Sequence, residues 1–499
     1  MHREPVWCAG MAVALAVLAP LVAADICSTL DAEGIEVESP LTLDYSLELQ
    51  DYWSVACGDL RPSCIAYPTS ALEMSQIVKE LHMTEDLFAI KSGGHMPNKG
   101  FSSIQNGLLI STKRLNEVTY DSDDQTAVIG PGLQWEEAQK GLDDLNTGRT
   151  VVGGRLGGVG VGGYMLGGGL SFLSSQHGWA ANNVVNYEVV IADGSIVNAN
   201  ENENPELFAA LKGGGNNFGI VTSYTLQTYP ISKVWGGNYI FTPDKTAGVL
   251  QAVRDFTEYY LDDKAAVIVT VEHGALIHTW IVFVFYDGPE PPQGVFDCFT
   301  ALDPIDTTKT WDTYYDLLKN NDFFILKGQR YTIATETTPL PSKEVGEEVM
   351  QSYYDHWFNI TNTVLSVPWV IGSMALQPMP RTITSKAKAR GGDLLDFPTD
   401  QDYIIIELDF SYSSSANDEE IDQANKDLFG GFDTMISGYI SEGILPDVYR
   451  PLFLNDAYYP QDYWGRICPA SKQRALSARE KYDPEKFFQT RTSGGFRVG

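Results

Sequence analysis

Basic residues are scarce in this sequence. The chain of 499 residues has 34 lysines and arginines against 65 aspartates and glutamates, which gives a formal net charge of −31. A surface this acidic repels phosphate backbones and anionic lipid headgroups, so we expect neither a nucleic-acid partner nor a membrane-surface partner. The charge balance favours a protein that handles neutral or cationic small molecules, although solubility alone would also explain it.

Cysteine and histidine are sparse as well. The chain has six cysteines and seven histidines, and no CxxC pair or His/Cys cluster has the spacing of metal ligands. A zinc site is therefore not expected, and no other metal site is predicted. Cys8 lies within residues 1–24, the predicted signal peptide described below, so five cysteines remain in the rest of the chain. An odd number predicts at least one unpaired thiol.

Long apolar runs are missing apart from one near the N-terminus. Residues 11–22 are almost wholly apolar, and Val22-Ala23-Ala24 closes the run with small residues, which is typical of a secretory signal peptide. The run is shorter than the roughly 20 residues of a membrane-spanning helix, and a buried N-terminal helix is the alternative. We expect residues 1–24 to be removed from an exported, soluble protein. In a eukaryotic host, Asn359 in Asn359-Ile360-Thr361 is then a glycosylation site.

The chain is too long for one ordinary core, because single cores stop growing near about 250–300 residues. Apolar residues make up 43% and charged residues 20%, which excludes a disordered chain. Before residue 232, short predicted strands interleave with helices, which indicates an α+β or α/β fold. Glycine thins after residue 232 and the predicted elements lengthen, among them helices at 246–261, 343–357 and 472–481 and strands at 266–272, 277–286 and 403–411.

Three glycine-rich loops precede residue 232. Lys91-Ser92-Gly93-Gly94-His95 follows a predicted strand, and its successive amides can form an anion-binding nest. Its histidine could act as nucleophile, base or ligand, and a tight turn with an incidental histidine is the alternative. The third loop, within residues 211–222, again feeds a strand.

The second loop, residues 153–169, contains a formal GxGxxG match at residues 158–163. A dinucleotide fingerprint must open a helix after its third glycine. The following Gly167-Gly168-Gly169 would break that helix. The pattern therefore favours loops that wrap an extended cofactor over a nicotinamide Rossmann fold.

Taken together, the motifs resemble the FAD-linked oxidases of the vanillyl-alcohol oxidase and p-cresol methylhydroxylase superfamily, in the berberine-bridge-enzyme-like branch. The resemblance runs from about residue 51 to the C-terminus. Besides the three loops, it rests on Gly130-Pro131-Gly132, Asn183-Val184, Trp235-Gly236-Gly237, Leu454-Asn455-Asp456-Ala457, Tyr482-Asp483-Pro484, Phe487-Phe488-Gln489 and Gly494-Gly495-Phe496.

The resemblance implies an α+β fold, with a two-part FAD-binding domain of the p-cresol methylhydroxylase type and an α+β substrate domain. After the signal peptide (1–24), we expect an N-terminal segment (25–54), an FAD-binding domain (55–231), a substrate domain (232–450) and a C-terminal segment (451–499) that returns to the FAD-binding domain.

The resemblance also implies that His95 bonds covalently to the 8α-methyl group of the flavin. Lys91 stands where the family usually has arginine, and Met96 replaces a common serine. Many relatives form a second link through a cysteine, but the matching residue is Leu156, so one link through His95 alone is expected. The implied cofactor-binding residues are Ser92, Gly93, Gly94, His95, Met96, Gly158, Val159, Gly160, Gly163, Ile220 and Val221. Cys27 and Cys64 resemble a disulfide pair of the family, and Cys57 matches no partner.

The substrate side departs from the sugar-oxidising relatives. In several of them a tyrosine two residues before the asparagine matching Asn455 serves as the base, whereas this chain has Phe453. Tyr458 and Tyr459 lie nearby, so Asn455 and Tyr458 are the expected catalytic residues. A buried tyrosine with a satisfied hydroxyl is the alternative for Tyr458.

The expected function is that of a secreted FAD-dependent oxidase. Hydride would pass from an alcohol, amine or secondary-metabolite precursor to covalent FAD, and O₂ would be reduced to H₂O₂. The small-molecule substrate and O₂ are the only partners predicted. An extracellular carbohydrate or oligosaccharide oxidase and a non-enzymatic flavin carrier are the alternatives.

Overall fold

The structure is a computed structural model that describes residues 25–322 and 327–499. The predicted signal peptide, residues 1–24, lies outside the described residues. Within the described ranges, no helix is both long enough and apolar enough to cross a bilayer.

Strands and helices interleave along the whole described chain. The strands are β1 (Val37–Glu38), β2 (Cys64–Ala66), β3 (Phe88–Lys91), β4 (Leu108–Ser111), β5 (Val118–Asp121), β6 (Thr126–Ile129), β7 (Arg149–Val151), β8 (Val184–Val190), β9 (Ile196–Ala199), β10 (Ile220–Pro230), β11 (Val234–Phe241), β12 (Ala265–Gly274), β13 (Ile277–Tyr286), β14 (Ile305–Asp306), β15 (Lys309–Trp311), β16 (Arg330–Pro339), β17 (Ile371–Met379) and β18 (Tyr403–Tyr412). The helices are α1 (Ile26–Ala32), α2 (Leu43–Gln50), α3 (Val55–Gly58), α4 (Ala71–His82), α5 (Trp135–Asp144), α6 (Val161–Leu166), α7 (Ser174–His177), α8 (Pro205–Ala210), α9 (Thr246–Tyr259), α10 (Asp297–Thr300), α11 (Tyr314–Asn321), α12 (Lys343–Thr363), α13 (Arg381–Ala389), α14 (Asp418–Ser441), α15 (Tyr463–Arg466), α16 (Pro469–Tyr482) and α17 (Phe487–Arg491).

The first sheet has the order β1-β2-β4-β3, and its β2-β4 and β4-β3 pairs are parallel. A disulfide joins Cys27 beside this sheet to Cys64 in β2, which confirms the predicted pairing, and Cys57 is free. The C-terminal segment reaches the same sheet, because the amide of Ser493 donates to the carbonyl of Phe88 at 2.9 Å. The His95 loop therefore follows a strand, β3, that is held in place by its sheet and by the C-terminal segment.

The second sheet is antiparallel, with the order β5-β6-β10-β8-β9 and with β7 also paired to β10. The longest glycine loop, residues 153–169, follows β7 and contains the six-residue helix α6. That helix ends where Gly167-Gly168-Gly169 begins, and Gly168 and Gly169 have φ values of 111° and 74°. The glycines stop the helix as the sequence predicts, because left-handed backbone suits glycine.

The third sheet is antiparallel, with the order β14-β11-β13-β12-β17-β18-β16. Helices α9, α12 and α14 pack on one face. In β12, Val267, Val269 and Val271 belong to the core under those helices, and the alternate side chains face the opposite side. All strands of this sheet fall within residues 234–412. The predicted α+β class is confirmed, whereas the exact domain boundaries stay predictions.

Candidate active site

A cavity of about 650 Å³ lies between the glycine loops and the free face of the third sheet. Cofactor and small-molecule sites commonly have volumes of about 300–1,000 Å³. The wall combines residues from the His95 loop, from the loop around α6, from the start of β10 and from strands β12, β13, β16, β17 and β18. The three loops that the sequence singles out therefore meet in one place.

His95 is held in this cavity by an aromatic stack. Its imidazole lies parallel to Trp53, with 4.4 Å between ring centroids and 5° between ring planes. Trp53 in turn stacks on Tyr331 of β16 at 4.1 Å. Burial lowers the pKa of His95 to about 4, so the ring is neutral near neutral pH. A neutral imidazole has the free nitrogen lone pair that a nucleophile needs.

Lys91 does not line the cavity and turns to the other side of β3. Its ammonium group lies 2.8 Å from Glu48 Oε1, with the two side chains 1% and 2% exposed. The same group donates to the Glu48 carbonyl at 3.2 Å and lies over the ring of Tyr52. Lys91 therefore fixes the start of the His95 loop to the segment that carries Trp53.

The glycine loops form a cradle against the cavity. The His95 loop and the α6 loop touch at Gly93, where a Cβ atom would come within 2.5 Å of Gly160 Cα. Ser92 links them, because its Oγ donates to the Pro131 carbonyl at 2.6 Å and accepts from the Gly162 amide at 3.1 Å. Gly163 also lines the cavity, and a Cβ there would meet no atom within 4 Å. This glycine opens on free space, which suits the close backbone approach of an extended cofactor.

Most of the cofactor residues implied by the sequence line the cavity: Ser92, Gly93, Gly94, His95, Met96, Val159, Gly160, Gly163, Ile220 and Val221. Gly158 does not, because its amide instead donates to Asp322 Oδ1 at 3.1 Å beside α11. Leu156 lines the cavity, and no cysteine does among the described residues.

The two expected catalytic residues separate in the structure. Asn455 lines the cavity and clamps the α6 loop, since its Oδ1 accepts from the Gly169 amide at 3.2 Å and its Nδ2 donates to the Tyr164 carbonyl at 3.0 Å. Tyr458 does not line the cavity, because its hydroxyl donates to Asp422 of α14 at 2.6 Å. That geometry is the satisfied buried tyrosine considered as the alternative from the sequence.

Four carboxyl side chains that the sequence analysis did not single out line the cavity. Glu272 of β12, Glu407 and Asp409 of β18, and Asp456 of the turn after Phe453 form what we call the carboxyl wall. In the register of the sheet, Ser373 of β17 pairs with Glu272 on one side and Asp409 on the other. The available signal was two acidic residues with a spacing of two in the apolar predicted strand at 403–411, which places both on one face.

A buried glutamine connects part of this wall. Gln377 donates from Nε2 to Glu407 Oε2 and to Asp456 Oδ2, both at 3.0 Å. Arg155 donates to the Oε1 atom of the same glutamine. Burial raises the pKa of Glu407 and of Asp456, and the charge of Arg155 opposes that rise.

The other two carboxyls of the wall are also hard to ionise. Burial, followed by the neighbouring carboxylates, raises the pKa of Asp409 well above its usual value. Burial raises the pKa of Glu272 to about 7, although Ser373 donates to it at 2.6 Å. Carboxyls with raised pKa values are suited to proton transfer near neutral pH.

Comparisons with known proteins agree with this geometry. The FAD binding domain family matches residues 62–200. An FAD-linked oxidoreductase from Arthroderma benhamiae is 48% identical over 476 residues, which cover 95% of each chain.

Two solved structures share the fold. Berberine bridge enzyme from Eschscholzia californica superposes with a TM-score of 0.75 at 17% identity and covers 95% of this chain and 99% of its own. Glucooligosaccharide oxidase from Acremonium strictum, with a 6-S-cysteinyl, 8α-N1-histidyl FAD, has a TM-score of 0.74 at 20% identity, covering 92% and 97%. The chain shares the fold of berberine bridge enzyme, and it belongs to the FAD-linked oxidoreductases.

Proposed function

We propose that this FAD-linked oxidoreductase is a secreted oxidase, which takes hydride from a small organic substrate and reduces O₂ to H₂O₂. The observation that carries the proposal is the single cavity that joins His95 and the glycine cradle to the carboxyl wall. FAD, when bound, supplies the hydride acceptor and the reaction with O₂. The chain itself supplies orientation and a place for the substrate proton.

His95 is the residue proposed to hold FAD covalently, and it does so alone. Its neutral imidazole lines the cavity, and Leu156 has no sulfur to form the cysteinyl link of the Acremonium enzyme. Protein precipitated with acid should retain one flavin per chain, with all of it released from His95→Ala. Flavin washed off the wild-type protein would refute the covalent link. A peptide with flavin on any residue other than His95 would refute its position.

The carboxyl wall is proposed to take the proton that the substrate loses with the hydride. Asn455 is proposed as a positioning residue, since both polar atoms of its amide hold the α6 loop. Tyr458 has its hydroxyl committed to Asp422, so we assign it a structural role. Tyr458→Phe should then leave turnover within about twofold, while Glu407→Gln should lower it by about 10²-fold or more, as removal of a general base does.

The substrate is proposed to be an alcohol, an amine or a related metabolite rather than a sugar. Phe453 lines the cavity and stacks on Trp179 at 5.3 Å, so a tyrosine base is missing at that position. Anaerobic flavin reduction by matched alcohols, amines and oligosaccharides, followed by peroxide release in air, tests this choice. Faster reduction by an oligosaccharide would favour a carbohydrate oxidase. Flavin that only dithionite reduces would favour the non-enzymatic carrier.

Secretion is proposed from the predicted signal peptide, residues 1–24, and is open to a direct test. The exported protein should begin near residue 25, as read by N-terminal sequencing. Asn359 is exposed on α12, whereas Thr361 of the same sequon is fully buried. A glycan on Asn359 would therefore project into solvent, and glycosidase treatment should lower the mass of protein from a eukaryotic host.

A further inference from the structure

The carboxyl wall has more acidic groups than cationic partners. Four carboxyls face the cavity, and Arg155 is the one lysine or arginine among the described residues that line it. Full ionisation would therefore leave an excess of three negative charges, four minus one. Several apolar side chains of the same sheet line this side, namely Ile268, Ile281, Phe283, Ile333 and Ile371. Like charges in such surroundings repel strongly, so a bound cation would be stabilising.

One buried hydroxyl beside the wall has no partner. The hydroxyl of Tyr164, a side chain only 9% exposed, makes no hydrogen bond to a described residue although the side chain lines the cavity. Tyr164 lies close enough to Arg155 and Asp456 to feel their charges. Buried polar atoms are normally satisfied, so this hydroxyl indicates a polar ligand group between the glycine cradle and the wall.

Two exposed apolar side chains lie next to cavity-lining residues in the sequence. Leu276, at the tip between β12 and β13, is 91% exposed, and Trp369 is 74% exposed. They lie within two residues of Ile277 and Ile371, which line the cavity. Trp369 also adopts a φ of 60°, a conformation that costs free energy for a bulky residue.

We infer that the carboxyl wall binds the ammonium group of an amine substrate, whose apolar body extends towards Leu276 and Trp369. The inference depends on the oxidase function proposed above and names the substrate class for it. A neutral sugar would leave the excess charge unbalanced. A metal ion is a poorer fit, because no group of three or more Asp, Glu, His or Cys side chains in the described chain is arranged to hold one.

The carboxyl wall suits each charged species in amine oxidation. A protonated amine gives one N–H proton to an ionised carboxyl of the wall, which frees the nitrogen lone pair. Loss of hydride from the C–H bond next to nitrogen, for which FAD would be the acceptor when bound, would let the lone pair form the C=N bond. The resulting iminium ion carries one positive charge, which Glu407, Asp409 and Asp456 would stabilise. Water then converts the iminium ion to a carbonyl compound and an amine, with release of one proton.

The test compares two probes of nearly equal shape, choline and its uncharged isostere 3,3-dimethylbutan-1-ol. Each is titrated anaerobically into the flavin-loaded protein, and binding is read from the flavin absorbance. At pH 8, choline should bind at least about tenfold more tightly. The preference should fall towards unity at pH 5, because carboxyls with raised pKa values are protonated and uncharged there. Equal affinity at pH 8, or a preference for choline that does not change with pH, would overturn the inference.

Other groups facing the wall do not titrate across this pH range. Arg155 is the cation that faces the wall, and burial raises the pKa values of Tyr164 and Tyr331, which keeps both phenols neutral. Burial also keeps His95 neutral above a pKa of about 4. A pH-dependent preference for the cation therefore reports the four carboxyls.

Two variants test whether the preference for choline comes from the carboxyl wall or from the overall negative charge of the protein. Glu407→Gln combined with Asp409→Asn should abolish the preference for choline, whereas Asp312→Asn, with its 81% exposed carboxylate on the surface, should retain it. Loss of the preference in Asp312→Asn would refute the location. If alcohols or sugars reduce the flavin and the protein does not prefer choline to its uncharged isostere, the amine inference fails while the proposed oxidase function stands. A protein that retains no flavin, or whose flavin no substrate reduces, defeats the proposed function.

Discussion

Replacement of Lys91 by methionine should destabilise the protein far more than the loss of one surface charge. In the wild-type protein the Lys91–Glu48 pair is almost fully buried, at 1% and 2% exposure. Ser111 also donates to Glu48 Oε1 at 2.8 Å, and Lys113 lies 3.7 Å from Oε2. Without Lys91, the carboxylate keeps its desolvation and loses its closest cation. Breaking a buried pair in this way typically costs about 3–5 kcal/mol.

The loss should depend on pH in a defined direction. Burial alone would raise the pKa of Glu48, but the charge of Lys91 and the hydrogen bonds from Lys91 and Ser111 outweigh it and lower the pKa. Because the pKa of Glu48 is lower in the folded protein than its unfolded value of about 4.3, ionised Glu48 stabilises the folded wild-type protein above that pH. This stabilisation is lost as the pH falls through the folded-state pKa of Glu48. In Lys91→Met, burial dominates, so the variant loses stability as the pH rises above about 4.3. The gap between the two proteins should therefore be widest at pH 7.5 and narrow towards pH 4.

Urea unfolding followed by tryptophan fluorescence at pH 7.5 and pH 4.5 measures this gap. The matched control is Lys140→Met, because Lys140 and Asp144 form an exposed pair at 53% and 66% exposure, worth about 0–1 kcal/mol. Lys91→Met combined with Glu48→Gln should recover part of the loss, since it removes the unpaired charge. A cost below about 1 kcal/mol at pH 7.5, or a double variant no more stable than Lys91→Met, would refute the reasoning.

Three further predictions concern the cofactor and the N-terminal segment. Trp53→Ala removes the ring that stacks on His95, so flavin should attach more slowly or incompletely; the acid-resistant flavin fraction measures this, and an unchanged fraction would dismiss the role of the stack. Leu156→Cys places a thiol in the cavity wall and should create a second link, seen as flavin fluorescence that survives denaturation in the His95→Ala background; colourless denatured protein would count against it. Cys27→Ser with Cys64→Ser opens a closed loop with a sequence separation of 37, which should cost about 4 kcal/mol on the chain-entropy estimate; an unchanged urea midpoint would contradict this.

The cofactor side was predictable from sequence because it is local. Ser92, Gly93, Gly94 and His95 are contiguous, and their chemistry follows from backbone freedom and one imidazole. The family resemblance then implied the role of His95, and its position in the cavity agrees with that role. The same approach placed Tyr458 at the site, although its hydroxyl bonds to Asp422. A residue close to a motif in sequence need not face the same way.

The carboxyl wall was not predictable for the opposite reason. Glu272 and Asp409 are 137 positions apart (409 − 272), and each pairs in register with Ser373 on the strand between them. Pairing of β12, β17 and β18 creates the site, and no local pattern fixes that register. The long helix α14 was missed as well, because Gly430, Gly431 and Gly438 lower its helix propensity. Packing of its apolar face on the sheet overrides that preference.

The strand alternation also explains how substrate choice can vary on a constant fold. In β12, Ile268, Thr270 and Glu272 face the cavity, whereas Val267, Val269 and Val271 between them pack under the helices. A substitution at the first set changes what the cavity binds and leaves the core contacts of the second set intact. Thr270→Val, which keeps the shape of the side chain but removes its hydroxyl, should therefore alter substrate preference. Its free energy of unfolding, measured in urea, should change by no more than about 0.5 kcal/mol, as for a typical surface substitution. Val269→Ala should lower the stability and leave substrate preference unchanged, because it creates a cavity in the helix-covered core. A large change in substrate preference in Val269→Ala would show that the two faces of the sheet are not independent.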